Sequence, residues 1–473
     1  MLARTVMSIC IIAAGVALSC AGGQQAAPPA KAPASPQIQK MTWDPFLDTL
    51  QERTLRFFLE TTPVNGLAYD RWPSRSPSSI GAVGFGLTCY PIAVERGLIT
   101  RADAARRVAY CLRFLHALPQ HAGATAVSGY KGFFYHFLDV RDGSRYWNCE
   151  LSTIDTGLML MGALTCQSYF DGTTPDEVAI RAFTDSLYRR VDWQWATNGT
   201  PGIAHGWKPD VGFNPTNWRG YDESAFLIML ALGSPTYPVK DSMWGYWLEP
   251  CIWAEFQGQQ FISFAPLFGH QYTHCWIDMR GITDSYIRGK GIDYFENSRR
   301  ATYASRAYCM TNPRGFAGYG PESWGLSACD GPGDTTFMVN GISRRFIGYG
   351  ARGASFDWTN DDGTLTPTAA GGSLPFAPEI CIPALVAMRR QHGDRLFRQY
   401  GFADAFNMTY RTDRFPNGWY DPDQLGIDQG PIAIMIENLR NGFVWKTIAK
   451  NPAIVRGLRR AGFSGGWLDT PGQ

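Results

Sequence analysis

The chain has 473 residues, 45% of them hydrophobic and 18% charged, enough to build a buried core and too apolar for a disordered chain. Its 43 basic and 41 acidic residues leave a formal net charge of +2. They form no run of about five like charges, which excludes a nucleic-acid grip on a phosphate backbone.

Taken in chain order, residues 1–20 predict an export signal: Arg4 supplies the positive start, an apolar stretch covers 9–18, and Ser19, Cys20 and Ala21 are small. The apolar stretch is about ten residues, well short of the roughly 20 that span a bilayer. Ala17-Leu18-Ser19-Cys20 reads as a lipobox with Cys20 as the lipidated residue, although Leu18 stands one position later than usual. The expected location is therefore the periplasm or an outer membrane, with the lipid on Cys20 as the membrane contact. Residues 21–40, rich in Ala, Pro and Gln, predict a flexible tether. The remainder, 41–473, is expected to form one domain and a monomer.

Within it, apolar periodicity and capping residues predict helices over 42–61, 80–97, 100–118, 152–170, 175–196, 222–233, 238–256, 291–311, 377–391, 430–450 and 453–462. Several are apolar nearly all round, as in Leu158-Met159-Leu160-Met161, which implies burial on both sides. Sequential helix pairs without strong strand patterns predict an all-α fold, an (α/α) barrel of alternating inner and outer helices. A plain bundle or solenoid is the alternative, disfavoured because no fixed repeat is visible. The long non-helical reach 314–375 is expected to carry function, as long loops in compact domains do.

Eleven cysteines include no C-x-x-C spacing, and the nine beyond residue 20 read mainly as small buried hydrophobes, with one or two disulfides left open. Gly348, Gly350 and Gly353 match G-x-G-x-x-G, but no helix pattern follows them and no βαβ unit surrounds them, so they predict a glycine-rich loop. His270, His274 and Asp278 share a helical spacing that would suit a metal, although Pro266 and Gly269 just before them argue against a continuous helix and the trio would equally suit sugar hydrogen bonding.

The stronger signal is a set of acids beside aromatic, glycine or apolar neighbours: Glu150 and Asp155, Asp222 and Glu223, Asp278 before Arg280, Asp361 and Asp362, and Asp428. Taken singly, each reads as a helix cap or a structural ion pair. Their joint recurrence, with aromatics at 14% of the chain, suits glycoside cleavage, which needs one protonated and one ionised carboxyl beside surfaces that stack on sugar rings.

The ordered motifs Gly66-Leu67-Ala68-Tyr69-Asp70-Arg71, Gly129-Tyr130-Lys131-Gly132-Phe133-Phe134-Tyr135-His136, Glu150-Leu151-Ser152-Thr153-Ile154-Asp155, Gly220-Tyr221-Asp222-Glu223 and Gly426-Ile427-Asp428-Gln429-Gly430 resemble the bacterial glycoamylase-like family, which includes the endo-β-1,2-glucanases of glycoside hydrolase family 144. The resemblance implies an (α/α)6 barrel, inverting hydrolysis of a β-glucan, a loop-closed cleft and no required metal or cofactor. It places Glu223 as general acid and Asp428 as general base. Glu150, Asp155, Asp222, Lys131, Tyr135, His136, Trp218, His270, His274, Asp278 and Arg280 are the expected glycan-binding residues. Exo action, an α-glucan substrate and a non-catalytic glycan-binding surface protein are the alternatives.

Overall fold

The computed structural model describes residues 43–469, so the export signal, Cys20 and the tether lie outside the described residues. In chain order the helices are α1 (Phe46–Thr61), α2 (Ile80–Glu95), α3 (Arg101–Ala117), α4 (Thr153–Tyr169), α5 (Pro175–Arg189), α6 (Trp193–Ala196), α7 (Ala225–Gly233), α8 (Ser242–Leu248), α9 (Tyr272–Trp276), α10 (Ser285–Gly289), α11 (Tyr294–Thr311), α12 (Pro367–Gly371), α13 (Pro378–His392), α14 (Gly426–Asn441), α15 (Phe443–Ile448), α16 (Pro452–Arg460) and α17 (Gly466–Asp469). Among the described residues no helix is long and apolar enough to cross a membrane.

Two kinds of helix are present. Helices α2, α4, α7 and α14 are buried along almost their whole length. Helices α1, α3, α5 and α16 bury one face only. The buried set packs in succession, α2 on α4, α4 on α7, α7 on α9, α9 on α14 and α14 on α2, while α3, α5, α1 and α16 lie against it. Glycines let the inner pair α2 and α4 meet backbone to backbone, for a Cβ on Gly162 would stand 2.1 Å from the Gly84 carbonyl oxygen.

Three predicted helices end early for local reasons. The 238–256 span is helical only over α8, because Pro250 cannot continue it. Strand Trp253–Phe256 then pairs with Gln259–Ile262 across Gln257 and Gly258, both at positive φ, the geometry of a tight hairpin turn. The 430–450 span breaks at Gly442, whose left-handed φ of 69° caps α14. The 175–196 span stops at Arg189 and resumes in the short α6. The 314–375 reach is not structureless, for it holds an exposed hairpin, Thr335–Val339 with Ile342–Phe346, and helix α12. Of the G-x-G-x-x-G match, Gly350 and Gly353 belong to short strand pairs around the buried Arg352–Asp362 ion pair, and Gly348 lies in the bend before them. All nine described cysteines are free thiols.

Candidate active site

Short strands deliver the buried helices to one mouth. Ser78–Ser79 runs directly into α2, Leu151–Ser152 into α4 and Gln424–Leu425 into α14. Side-chain caps on α2 and α4 fix the turn, with Ser79 accepting from the Ala82 N–H and Ser152 from the Asp155 N–H. Backbone bonds then tie the three starts together. The Ile80 N–H donates to the His136 carbonyl (3.1 Å), the His136 N–H to the Glu150 carbonyl (2.9 Å), and the Gly426 N–H to the Asp70 carbonyl (2.8 Å). Asp70, His136, Glu150, Asp155 and Asp428 are thereby carried to the N-terminal ends of α2, α4 and α14.

One side of the mouth is built around His136. Its Nδ1 is 2.8 Å from Glu150 Oε1 and its Nε2 is 3.6 Å from Asp155 Oδ2, while the ring stacks on Phe137 at 4.1 Å. Burial opposes charging of this imidazole, but Asp155, Glu150 and Asp70 outweigh it and raise its pKa to about 10, so it is cationic at neutral pH. Burial likewise opposes ionisation of Glu150, and the His136 hydrogen bond reverses that and lowers its pKa. Asp155 also accepts from Ser152 Oγ at 2.5 Å, and Gly81 must lack a side chain because a Cβ there would stand 2.5 Å from Asp155 Oδ1. Trp218 walls the start of α4, donating from Nε1 to Thr153 Oγ1 (2.9 Å) and stacking on His205 at 3.9 Å.

Glu223 precedes α7 and is half-buried. Burial, followed by the Asp222 and Asp155 charges, holds its carboxyl well above the usual range, which favours the protonated form. Asp222 is turned away from that task. Its Oδ1 takes the Ser224 N–H at 2.9 Å and the Ser224 hydroxyl at 2.5 Å, pinning the start of α7, and burial raises its pKa to about 6.

Asp428 lies in the first turn of α14, 4% exposed, and burial raises its pKa to about 7. Tyr272, at the start of α9, lies in the field of both Asp428 and Glu223. Beyond Asp428 is an acid group that sequence reasoning missed: Asp70, Asp330, Asp404 and Asp421. Arg71 pairs with Asp70 at 3.1 Å and Asp330 at 2.5 Å. Oxygens of Asp330, Asp404 and Asp421 all lie within 4.8 Å of one another. That spacing would admit a cation, and the same acids adjoin other carboxyls, Asp404 next to Asp428 and Asp421 next to Asp330. The signal for Asp404 was available in Phe402-Ala403-Asp404-Ala405-Phe406, an acid set among apolar neighbours like those of the predicted set. The 314–375 reach contributes Asp330 and Tyr349, whose phenol feels Asp428, Asp404, Asp70 and Asp330. Two exposed aromatics flank the mouth, Tyr349 at 42% and Trp147 at 56%, the latter packed on Phe137 at 5.9 Å.

Other expected glycan contacts are placed elsewhere. His274 is buried in the core, its Nε2 3.0 Å from Ser298 Oγ and its ring 4.9 Å from Phe376. His270 is buried with Nε2 3.1 Å from the Phe264 carbonyl. Burial lowers their pKa values to about 3 and about 4, keeping both neutral. Asp278 and Arg280 pair with each other at 2.7 Å, and Arg280 covers the Trp445 ring on α15. Since α15 follows the far end of α14, about 20 Å of helix separates this pair from Asp428. Helix α9 ends at Trp276, so His270, His274 and Asp278 share no helix face and form no metal set. Lys131 is exposed and 3.3 Å from Asp192, and Tyr135 is buried behind His136 under the Arg145 guanidinium.

Residues 215–452 match the glycoamylase family model, described as "Putative glucoamylase". A Bacteroides uniformis protein described in the same terms has a solved structure that superposes with a TM-score of 0.78 at 31% identity, covering 91% of this chain and 100% of that one. An endo-β-1,2-glucanase of Chitinophaga pinensis, solved with sophorotriose and glucose, superposes at 0.76 and 27% identity, covering 89% and 98%. An exo-β-1,2-glucooligosaccharide sophorohydrolase (non-reducing end) of Parabacteroides distasonis is 28% identical over 452 residues, 89% of this chain. The chain spans 58% of the length of that curated relative.

Proposed function

The chain belongs to the glycoamylase-like family of glycoside hydrolases, and from that premise we propose that it hydrolyses β-1,2-linked glucan with Glu223 as general acid and Asp428 as general base. The observation that carries the reading is the contrast between two acids in the field of Tyr272: Glu223, held well above the usual carboxylate range by burial and the Asp222 charge, and Asp428, raised by burial to about 7. Matched pKa values of this kind are what acid–base catalysis requires.

In the proposed reaction Asp428 takes a proton from water as the water oxygen bonds to the anomeric carbon. The glycosidic C–O bond breaks, and the leaving oxygen takes the proton of Glu223. One water is consumed, two shorter glycans form and the anomeric carbon is inverted. Glu150 and Asp155, beside the His136 cation, accept hydrogen bonds from sugar hydroxyls, and Trp147 and Tyr349 offer faces for ring stacking. An (α/α)6 barrel is the proposed architecture, supported by the layering of one-face-buried helices α1, α3, α5 and α16 on the buried α2, α4, α7 and α14. Export through residues 1–20, with Cys20 lipidated and a monomeric domain from residue 41 onward, completes the proposal.

Endo action is the first reading, and the Parabacteroides relative favours release of sophorose from non-reducing ends as the second. Product analysis on linear β-1,2-, β-1,3- and α-1,4-glucans, with NMR detection of the first anomer, tests both. Mixed oligosaccharides of inverted configuration from β-1,2-glucan alone are expected. Sophorose as the sole product selects the second reading, and cleavage of α-1,4-glucan or retained configuration refutes the proposal.

A further inference from the structure

The partner of Asp428 carries an inference that rests on the reading of Asp428 as base. Asp404 and Asp428 are 2% and 4% exposed and their carboxyls are in contact. Two touching carboxylates removed from water repel too strongly for both to be ionised, so one proton belongs to the pair. The hydrogen bonds say which oxygens need it. Asp404 Oδ2 already accepts the Asp330 N–H at 2.6 Å. Asp404 Oδ1 and Asp428 Oδ2 are both buried and face no donor. A proton on Asp404 Oδ1, directed at Asp428, satisfies both atoms with one hydrogen bond.

Both members lie in negative surroundings: Asp404 feels Asp330 and adjoins Asp421, Asp428 feels Asp330 and Asp70, and the nearby cation Arg71 is engaged by Asp70 and Asp330. Arg352, the other cation nearby, is locked on Asp362 at 2.8 Å. The remaining titratable groups facing the pair are Tyr272, Tyr349 and Cys329.

We propose that Asp404 is the positioning residue of the base, a neutral carboxyl whose O–H donates to the Asp428 carboxylate, keeps it ionisable despite burial and aims its free lone pair at the attacking water. Asp404 touches neither water nor sugar in this role and acts only through Asp428.

The proposal separates two substitutions of similar size. Asp404→Asn keeps the arrangement, since its Oδ1 accepts the Asp330 N–H and its Nδ2–H donates to Asp428. Asp404→Leu fills the volume without a donor. With linear β-1,2-glucan as substrate, Asp404→Asn should retain kcat within about tenfold of wild type with the acid limb of kcat/KM in place. Asp404→Leu should lose about 100-fold or more in kcat with KM little changed, and its acid limb should move to higher pH. Should Asp404→Leu not fold, Asp404→Ser supplies a shorter variant that cannot reach Asp428 and is expected to behave as Leu. The proposal is overturned if Asn is as damaging as the donor-less variant, if the donor-less variant keeps wild-type kcat, or if its acid limb stays in place. Loss of wild-type activity in EDTA with recovery on added Ca²⁺ or Mg²⁺ also overturns it, because the acids would then hold a cation. Asp428→Asn distinguishes the two layers. If it retains turnover, the base assignment itself has failed. If it is inactive while Asp404→Leu is unimpaired, only the role of Asp404 has failed.

Discussion

Replacing Asp428 by Asn should make the protein more stable above neutral pH while removing its activity. Burial raises the Asp428 pKa from the ordinary 3.8 to about 7, so the folded chain holds a proton there that the unfolded chain has released. A folded state that binds more protons than the unfolded one loses stability as pH rises. Asp428 therefore contributes no penalty below about pH 4, an increasing one between about 4 and 7, and its full penalty above that. At about 1.36 kcal/mol per pH unit the full penalty is at most about 4 kcal/mol, reduced by whatever the Asp404 hydrogen bond already absorbs. Asparagine accepts the same bond and carries no charge. Urea denaturation of wild type and Asp428→Asn from pH 4.5 to 8.5 should give curves that converge at the acid end and separate towards the alkaline end, the variant being the more stable. The variant's kcat should fall about 10²–10⁴-fold. Parallel stability curves across that range would refute the claim that a buried charge at residue 428 costs the fold anything.

Glu223→Gln should fold as wild type and lose about 10²–10⁴-fold in kcat, with the alkaline limb of the pH–rate profile gone; near-wild-type turnover on β-1,2-glucan would remove it from the mechanism. His136→Gln should lose stability in a pH-dependent way. His136 is raised from 6.5 to about 10, so its contribution is complete below pH 6.5 and gone once pH passes about 10, and thermal melts of the two proteins should converge at the alkaline end. Gly162→Ala places a Cβ 2.1 Å from the Gly84 carbonyl oxygen and must push α2 from α4, at a cost of about 1–3 kcal/mol measurable by urea denaturation.

Much of the helical framework is local and was readable. Ser79 and Ser152 cap α2 and α4 within three residues of their own positions, and the apolar run from Leu158 to Leu164 demands burial whatever surrounds it. The breaks at Pro250 and Gly442 were equally local, but a moment of apolar periodicity carried the reading across them. The site divides the same way. Glu150, Asp155, Glu223 and Asp428 stood out because each is an acid among apolar or aromatic neighbours, and the fold brings them to the ends of buried helices. Asp278 stood out for the same reason and His274 for its spacing to it, yet the core satisfies His274, and Asp278 pairs with Arg280 over the Trp445 ring.

What the amino-acid order settles by itself, then, is where helices start, which faces they bury, and the family to which the chain belongs, because capping, periodicity and motif spacing act over a few residues. Which acids share a proton depends on Asp70, Asp330, Asp404 and Asp428 meeting across hundreds of residues. Coulomb interaction falls with distance through space and takes no account of distance along the chain, so only the packing of α2, α4 and α14 could decide that Asp428 faces Asp404, and that Arg71 is occupied elsewhere.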